Sequence, residues 1–203
     1  KFLNPGIFLY YREPIMLVEG KLQYVWDDQG KRYLDGLGGI VTISVGHCHP
    51  HVVAAAHQQN ETLQHSTTIY LHPNIGAFAE KLASKMPGEL KVCYFVNSGS
   101  EANDLALLMA RAYTSNYDVI ALRNAYHGGN ASGMAVTAHS TWKYNVPHSF
   151  GVHHALAPYP YRGPYGYDDA DAGRKYADDV KSLIEYATPG KVAAFIAESI
   201  QGV

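Results

Sequence analysis

The chain has 203 residues, of which 47% are hydrophobic and 17% charged. That balance excludes a disordered segment and allows one ordinary domain, or one and part of another. The net charge of −2 and a pI near 6.6 leave no global basic field to draw nucleic acid or an acidic membrane surface. The only cysteines, Cys48 and Cys93, are too few for a disulfide framework and point to a reducing compartment. No apolar run is long enough to cross a bilayer.

Residues 1–20 place Pro5, Gly6, Pro14 and Gly20 among apolar residues and read as an irregular arm. Lys21–Asp27 alternates in polarity, Asp28-Gln29-Gly30-Lys31 is a turn signal, and Arg32–Asp35 returns as a second strand of a hairpin. Gly36, Gly38 and Gly39 open a loop without forming the G-x-G-x-x-G of a dinucleotide site. His47, His49 and His51 would share a face of an extended segment, which raises zinc. Pro50 opposes it, because it suits the first turn of a helix over Val52–Thr62, and no second ligand cluster accompanies the histidines. The expectation is no metal. Asn74–Lys85 reads as an amphipathic helix stopped by Pro87-Gly88.

Val92-Cys93-Tyr94-Phe95-Val96 reads as a buried strand leading into a helix, with Ala102, Leu105, Ala106, Met109 and Ala112 at helical spacing. Ser98 and Glu101 form the S-x-x-E of a capping box. On this stretch alone two readings stay open: a capped helix with no ligand, or an anion site at the helix N-terminus with Gly99 allowing close approach. Asp118–Arg123 reads as the next buried strand. Strand, helix, strand then make a βαβ unit in a parallel sheet, with Ser98-Gly99-Ser100 and Tyr126-His127-Gly128 at one sheet edge. Residues 155–169, rich in Pro, Gly and Tyr, read as a surface loop or subunit contact. Asp178–Ala187 reads as a helix, and Lys191–Ala197 as a third buried strand with Glu198 at its carboxyl end. A ligand with a phosphate at one end and a flat polar ring suits Gly99, Ser100, Tyr126 and Glu198. G-x-x-x-x-G-K, and with it a P-loop, is absent.

Four motifs in order, Gly46-His47-Cys48-His49-Pro50, Asn97–Asn103, Tyr126-His127-Gly128 and Glu198-Ser199-Ile200-Gln201-Gly202, resemble those of the class-III pyridoxal-phosphate aminotransferases. The likeness covers essentially the whole chain, and Ile40–His47 with Phe95–Asn97 most resembles the alanine–glyoxylate branch. The resemblance implies an α/β fold of the PLP-dependent transferase fold type I, a mainly parallel sheet flanked by helices. Residues 1–45 would be the arm and hairpin of the small domain, and 46–203 the first part of the large PLP-binding domain. It implies that Gly99 and Ser100 bind the cofactor phosphate, that Tyr126 stacks on the pyridine ring, that His127 and Glu198 stand around the ring, and that Tyr10 contacts substrate.

The implied reaction moves the amino group of alanine to glyoxylate. Its partners would be small amino and 2-oxo acids within a mitochondrial homodimer or higher homo-oligomer, with no nucleic acid and no membrane. Another class-III enzyme, an ω-aminotransferase or phospho-lyase, and a non-catalytic module are the alternatives. Gly129 replaces the Arg that ornithine-type members carry after His-Gly, which disfavours ornithine, and Ser199 replaces a common Pro. The chain is expected to be part of a longer protein. The Schiff-base Lys and the Asp that pairs with the pyridine nitrogen are expected beyond Val203, so no catalytic residue is assigned within it and the 203 residues alone are expected to be inactive.

Overall fold

Two units, Lys1–Ser84 and Lys85–Val203, divide the chain, and the computed structural model describes Phe2 and residues 9–202. In the first, β1 (Leu17–Lys21), β2 (Tyr24–Asp27) and β3 (Arg32–Leu34) form an antiparallel meander. The β2–β3 hairpin is as expected. The strand expected over Lys21–Asp27 is instead broken at Leu22, whose φ of 49° turns the chain, and residues 17–20 of the supposed arm form β1 together with Lys21.

Two backbone bonds hold that turn: the Leu22 N–H donates to the His47 carbonyl at 2.7 Å, and the His47 N–H to the Leu22 carbonyl at 2.8 Å. At Gly46, φ is 89° and a Cβ would lie 2.7 Å from the Leu22 Cα, so only glycine fits. The His47 ring bonds Asp35 at 2.7 Å. Cys48 is exposed, and His49 directly precedes α2 with Pro50 in its first turn. Among the described residues no group of three or more His, Cys, Asp or Glu is placed to hold a metal ion.

A one-turn segment, α1 (Gly38–Val41), is wound left-handed at Gly39 and Ile40. Helices α2 (Pro50–Thr62) and α3 (Pro73–Ala83) lie close to their expected positions, α3 capped by the His72 ring accepting from the Asn74 N–H at 3.2 Å. Neither buries a residue; among the described residues of this unit only Val25 and Asp27 are buried.

The second unit is built on β4 (Val119–Leu122), every residue of which is buried. It is the middle of a parallel sheet, flanked by β5 (Val152–Ala155) and β6 (Ala194–Ile196). Successive side chains of a strand point to opposite faces. Ile120 and Leu122 therefore pack with Val180, Leu183 and Ile184 of α6 (Ala172–Ala187). Val119 and Ala121 pack with Leu107 of α4 (Gly99–Thr114) and Val136 of α5 (Ala131–Val136). Helices on both faces explain the unbroken apolar run.

Three expectations need correction. Val92–Val96 lies in neither sheet and is not buried: Val92 is 86% exposed and Cys93 half-buried. Both edges of β4 are taken by β5 and β6. Tyr94 and Val96 instead line a shallow groove along Ala102, Leu105, Ala106 and Met109 of α4. The βαβ unit expected from 92–96, α4 and β4 is accordingly replaced by β4 pairing in parallel with strands that follow it. The strand expected over Lys191–Ala197 is shorter and half open, with Phe195 52% exposed.

In the second unit β5 and α5 were not expected. In β5 the mid-strand residues are His153 and His154, and His153 is accommodated by a 2.7 Å bond to Asp118. The Tyr-rich loop before α6 is anchored by Tyr176, whose hydroxyl donates to the Tyr165 carbonyl at 3.0 Å, and by Lys175 bonded to Asp169 at 2.6 Å. No helix among the described residues is long and apolar enough to cross a membrane.

The β2–β3 turn carries a titratable brace. Asp27 accepts from the Tyr33 hydroxyl at 2.7 Å, the Lys31 N–H at 2.8 Å and the Gln29 N–H at 3.0 Å. The Tyr33 bond, ahead of the two amides and against the opposing effect of burial, holds the carboxyl below its ordinary 3.8. A carboxyl depressed by folding stabilises fully above its unfolded pKa, and that contribution is lost as pH falls through the depressed value. Asp27→Asn should therefore flatten the loss of hairpin order below about pH 4, followed by the NMR signals of residues 24–34 against pH; an unchanged acid limb would contradict the brace.

Candidate functional site

The helix α4 begins where the capping pattern places it. The Ser98 hydroxyl accepts from the Glu101 N–H at 3.1 Å, and Glu101 accepts from the N–H of Asn97 at 2.7 Å, one residue before the cap. The Ala102 N–H already bonds the Ser98 carbonyl. The N–H groups of Gly99 and Ser100 are therefore the two first-turn donors without an acceptor among the described residues, at the positive end of a 16-residue helix. A Cβ on Gly99 would meet nothing within 4 Å, so no packing in the chain itself requires glycine there.

Chain geometry brings the other expected residues to the same edge. The loop after β4 crosses the first turn of α4: the Gly129 N–H donates to the Ser100 hydroxyl at 3.2 Å, and the Asn130 amide to the Ser100 carbonyl at 3.2 Å. Gly128, at φ 121°, is pressed against Ser100; a Cβ there would collide with its hydroxyl oxygen and lie 3.0 Å from its Cβ. From the end of β6, Glu198 accepts from the Tyr126 N–H at 2.9 Å with one oxygen and from the Gly202 N–H at 3.2 Å with the other. Gln201 adds a bond to the Arg123 carbonyl at 2.9 Å. The Tyr126 ring is half-buried and leans on Trp142, centroids 5.2 Å apart at 54°.

His127 is 6% exposed, and its Nε2 is buried without a hydrogen-bond partner among the described residues. Burial pushes its pKa below the ordinary 6.5, with the Glu198 charge opposing. Burial therefore favours its neutral imidazole over the charged form. Gly99, Ser100, Tyr126, His127 and Glu198 thus lie at one sheet edge. Tyr10 lies in the other unit, where its ring is 87% exposed.

Several residues of this edge were not read from the sequence. Asn130 accepts from the Gly133 N–H at 2.8 Å and so caps α5, a signal available in Asn130-Ala131-Ser132-Gly133 but passed over beside the two glycines. Asn103, the last residue of the motif Asn97–Asn103, bonds the His127 carbonyl at 2.9 Å, a contact the motif does not announce; Thr137, which bonds the His127 N–H at 3.0 Å, does not stand out in an unaligned sequence.

The arrangement suits the group implied by resemblance. Two free amides at a helix N-terminus and open space over Gly99 suit a phosphate. A half-exposed aromatic face and a buried, unpartnered imidazole nitrogen suit a polar ring.

A family model described as aminotransferase class-III matches residues 10–203. An Arabidopsis thaliana protein named alanine–glyoxylate aminotransferase 2 homolog 2, mitochondrial, is 52% identical over 203 residues, covering 100% of this chain and 42% of that protein. An amine transaminase from an uncultivated Pseudomonas species, solved in its PLP-bound form, superposes with a TM-score of 0.90 at 29% identity, covering 100% of this chain and 49% of that one. A phospholyase from Arthrobacter in complex with phosphoethanolamine gives 0.82 at 33% identity, covering 96% and 45%. The chain spans less than half the length of each of these three proteins.

Two outcomes follow from the site's geometry. Gly128→Ala should destabilise the cofactor-free protein by about 1–3 kcal/mol, from left-handed strain and the collision with Ser100, whereas Gly99→Ala should not lower its melting temperature; equal effects would contradict the packing. An imidazole depressed by folding takes up its proton first in the unfolded chain. Stability should therefore fall as pH drops below 6.5. His127→Gln should remove part of that slope, leaving the part due to His154, which burial first and the Lys143 charge next depress in the same direction. A slope unchanged in urea melts would contradict the assignment.

Proposed function

The chain belongs to the class-III aminotransferases, and from that premise we propose that the protein transfers the amino group of alanine to glyoxylate, giving pyruvate and glycine, with pyridoxal phosphate held at the shared edge of β4, β6 and α4. The observation that carries this reading is the convergence of Ser100, Tyr126 and Glu198 on one edge through the bonds from Gly129 to Ser100 and from Tyr126 to Glu198. The 52% identity to the Arabidopsis protein supports the substrate pair and a mitochondrial location. A homodimer or higher homo-oligomer, a division between small and large domains near residue 45, and a substrate contact by Tyr10 complete the proposal.

Pyridoxal phosphate supplies an electron sink at the carbon that gives up its amino group. The chain's own residues bind and orient it. The helix dipole contributes only about 0.3–1 kcal/mol toward an anion, and each hydrogen bond to a charged group about 1.5–3 kcal/mol. Two amides, the Ser100 hydroxyl and the dipole together give about 5–10 kcal/mol, on either side of the roughly 8 kcal/mol of micromolar affinity. Tyr126 supplies the rest by stacking, with its backbone fixed by Glu198 and its ring backed by Trp142. The Glu198 carboxylate, held by two amides, presents negative charge beside the ring position. His127, kept neutral, adds polarity without a competing charge.

A phospho-lyase reading is favoured by one observation, the 0.82 TM-score and 33% identity to the Arthrobacter protein. The test separates the two. Full-length protein given alanine and glyoxylate should yield pyruvate and glycine in equal amounts by chromatography. Release of inorganic phosphate from phosphoethanolamine without amino transfer would overturn the aminotransferase reading.

A further inference from the structure

We propose that Thr137 and Asn103 are positioning residues that set where the Tyr126 ring is presented, by holding the backbone of His127 from both sides. The proposal rests on the reading of this edge as a pyridoxal-phosphate site.

Thr137 is fully buried, and its hydroxyl makes two bonds of opposite sense. It accepts from the His127 N–H at 3.0 Å and donates to the Gly133 carbonyl at 2.7 Å. A hydroxyl committed in both senses has one orientation, so it fixes His127 relative to α5. Gly133 is itself held: Asn130 caps its N–H, and a Cβ on it would lie 2.9 Å from the His127 carbonyl oxygen. From the other side Asn103, one turn along α4 from Ser100, donates to the His127 carbonyl at 2.9 Å. The helix whose first turn faces the anion position thus also grips the residue after Tyr126.

The segment before Tyr126 is tied as well. The Ala138 N–H donates to the Ala125 carbonyl at 2.9 Å, and the Asn124 N–H to the Ala138 carbonyl at 3.2 Å. The Tyr126 ring, by contrast, has one aromatic neighbour, Trp142, and its hydroxyl has no hydrogen-bond partner among the described residues. Its aim is therefore set through its backbone, and that backbone is set by Ala138, Glu198, Thr137 and Asn103. Of these, the Thr137 and Asn103 side chains bond only main-chain groups of this edge, so their effect on the cofactor passes through His127.

Thr137→Val keeps the side-chain shape and removes the hydroxyl; Thr137→Ser keeps the hydroxyl. In the full-length protein, Thr137→Val should weaken pyridoxal phosphate in an absorbance titration of the cofactor-free form by up to about tenfold. It should also alter the visible circular dichroism of the bound cofactor and speed amide exchange at His127 in the cofactor-free protein. Thr137→Ser should return all three close to wild type. If Thr137→Val fails to fold, Asn103→Ser carries the same three readouts. Unchanged affinity and dichroism, or a loss that tracks melting temperature alone and is not rescued by Ser, would overturn the proposal. A wild-type protein that binds no pyridoxal phosphate would overturn the functional reading instead, and amide exchange at His127 would still decide for or against the clamp.

Discussion

One hydrogen bond, from the backbone of Tyr126 to the carboxylate of Glu198, joins the ends of β4 and β6 across 72 residues of sequence. Parallel strands do not by themselves align their exit loops; the ladder ends and each loop is free to leave in its own direction. This bond removes that freedom on one side of β4, while Ser100 and its neighbours remove it on the other. A carboxylate suits the role because it accepts twice. The Gly202 amide takes its second oxygen, so the turn after β6 is drawn to the same point. The rest of the second unit, a buried strand with a helix layer on each face, is the support that makes such an alignment rigid.

The meeting of these residues at one edge was legible because the elements that carry them have local signatures. Ser98 and Glu101 announce a helix start, the run Val119–Leu122 announces a strand covered on both faces, and Glu198 follows an apolar run. What was not legible depends on partners distant in sequence. Val92–Val96 has the composition of a core strand, but composition does not say which edges are free, and β5 and β6 occupy both edges of β4. The strand β5 escaped notice because two histidines interrupt its apolar pattern, and only the folded chain shows Asp118 waiting for His153. The contacts of Thr137 and Asn103 were hidden for the same reason. Their importance lies in which carbonyl or amide they reach. The fold type was recoverable nonetheless, since it follows from motif order, and the superposition on the amine transaminase agrees with it.

The first unit shows the opposite balance. It buries little apolar surface and is held by directional contacts: the paired amides of Leu22 and His47, the His47–Asp35 bond and the threefold acceptance by Asp27. Three histidines at alternating positions suggested a ligand set when read as a line of letters. Folded, His47 is tied to Asp35 and His49 precedes a helix opened by Pro50. The glycine before them is the most tightly confined of the described glycines in this unit, since the Leu22 backbone fills the space a side chain would need.

The contact between Tyr126 and Trp142 has a consequence of another kind. The chain contains two tryptophans, one per unit: Trp26 in the hairpin, beside Tyr24 at 6.3 Å, and Trp142 beside the strand-edge loop. Each is half-buried, so each indole emits with a colour set by its own surroundings. Within these 203 residues, replacing either by Phe leaves tryptophan fluorescence that belongs to one unit alone. The unfolding of the meander and the occupancy of the loop can then be followed separately, in the same cuvette, without attaching a dye.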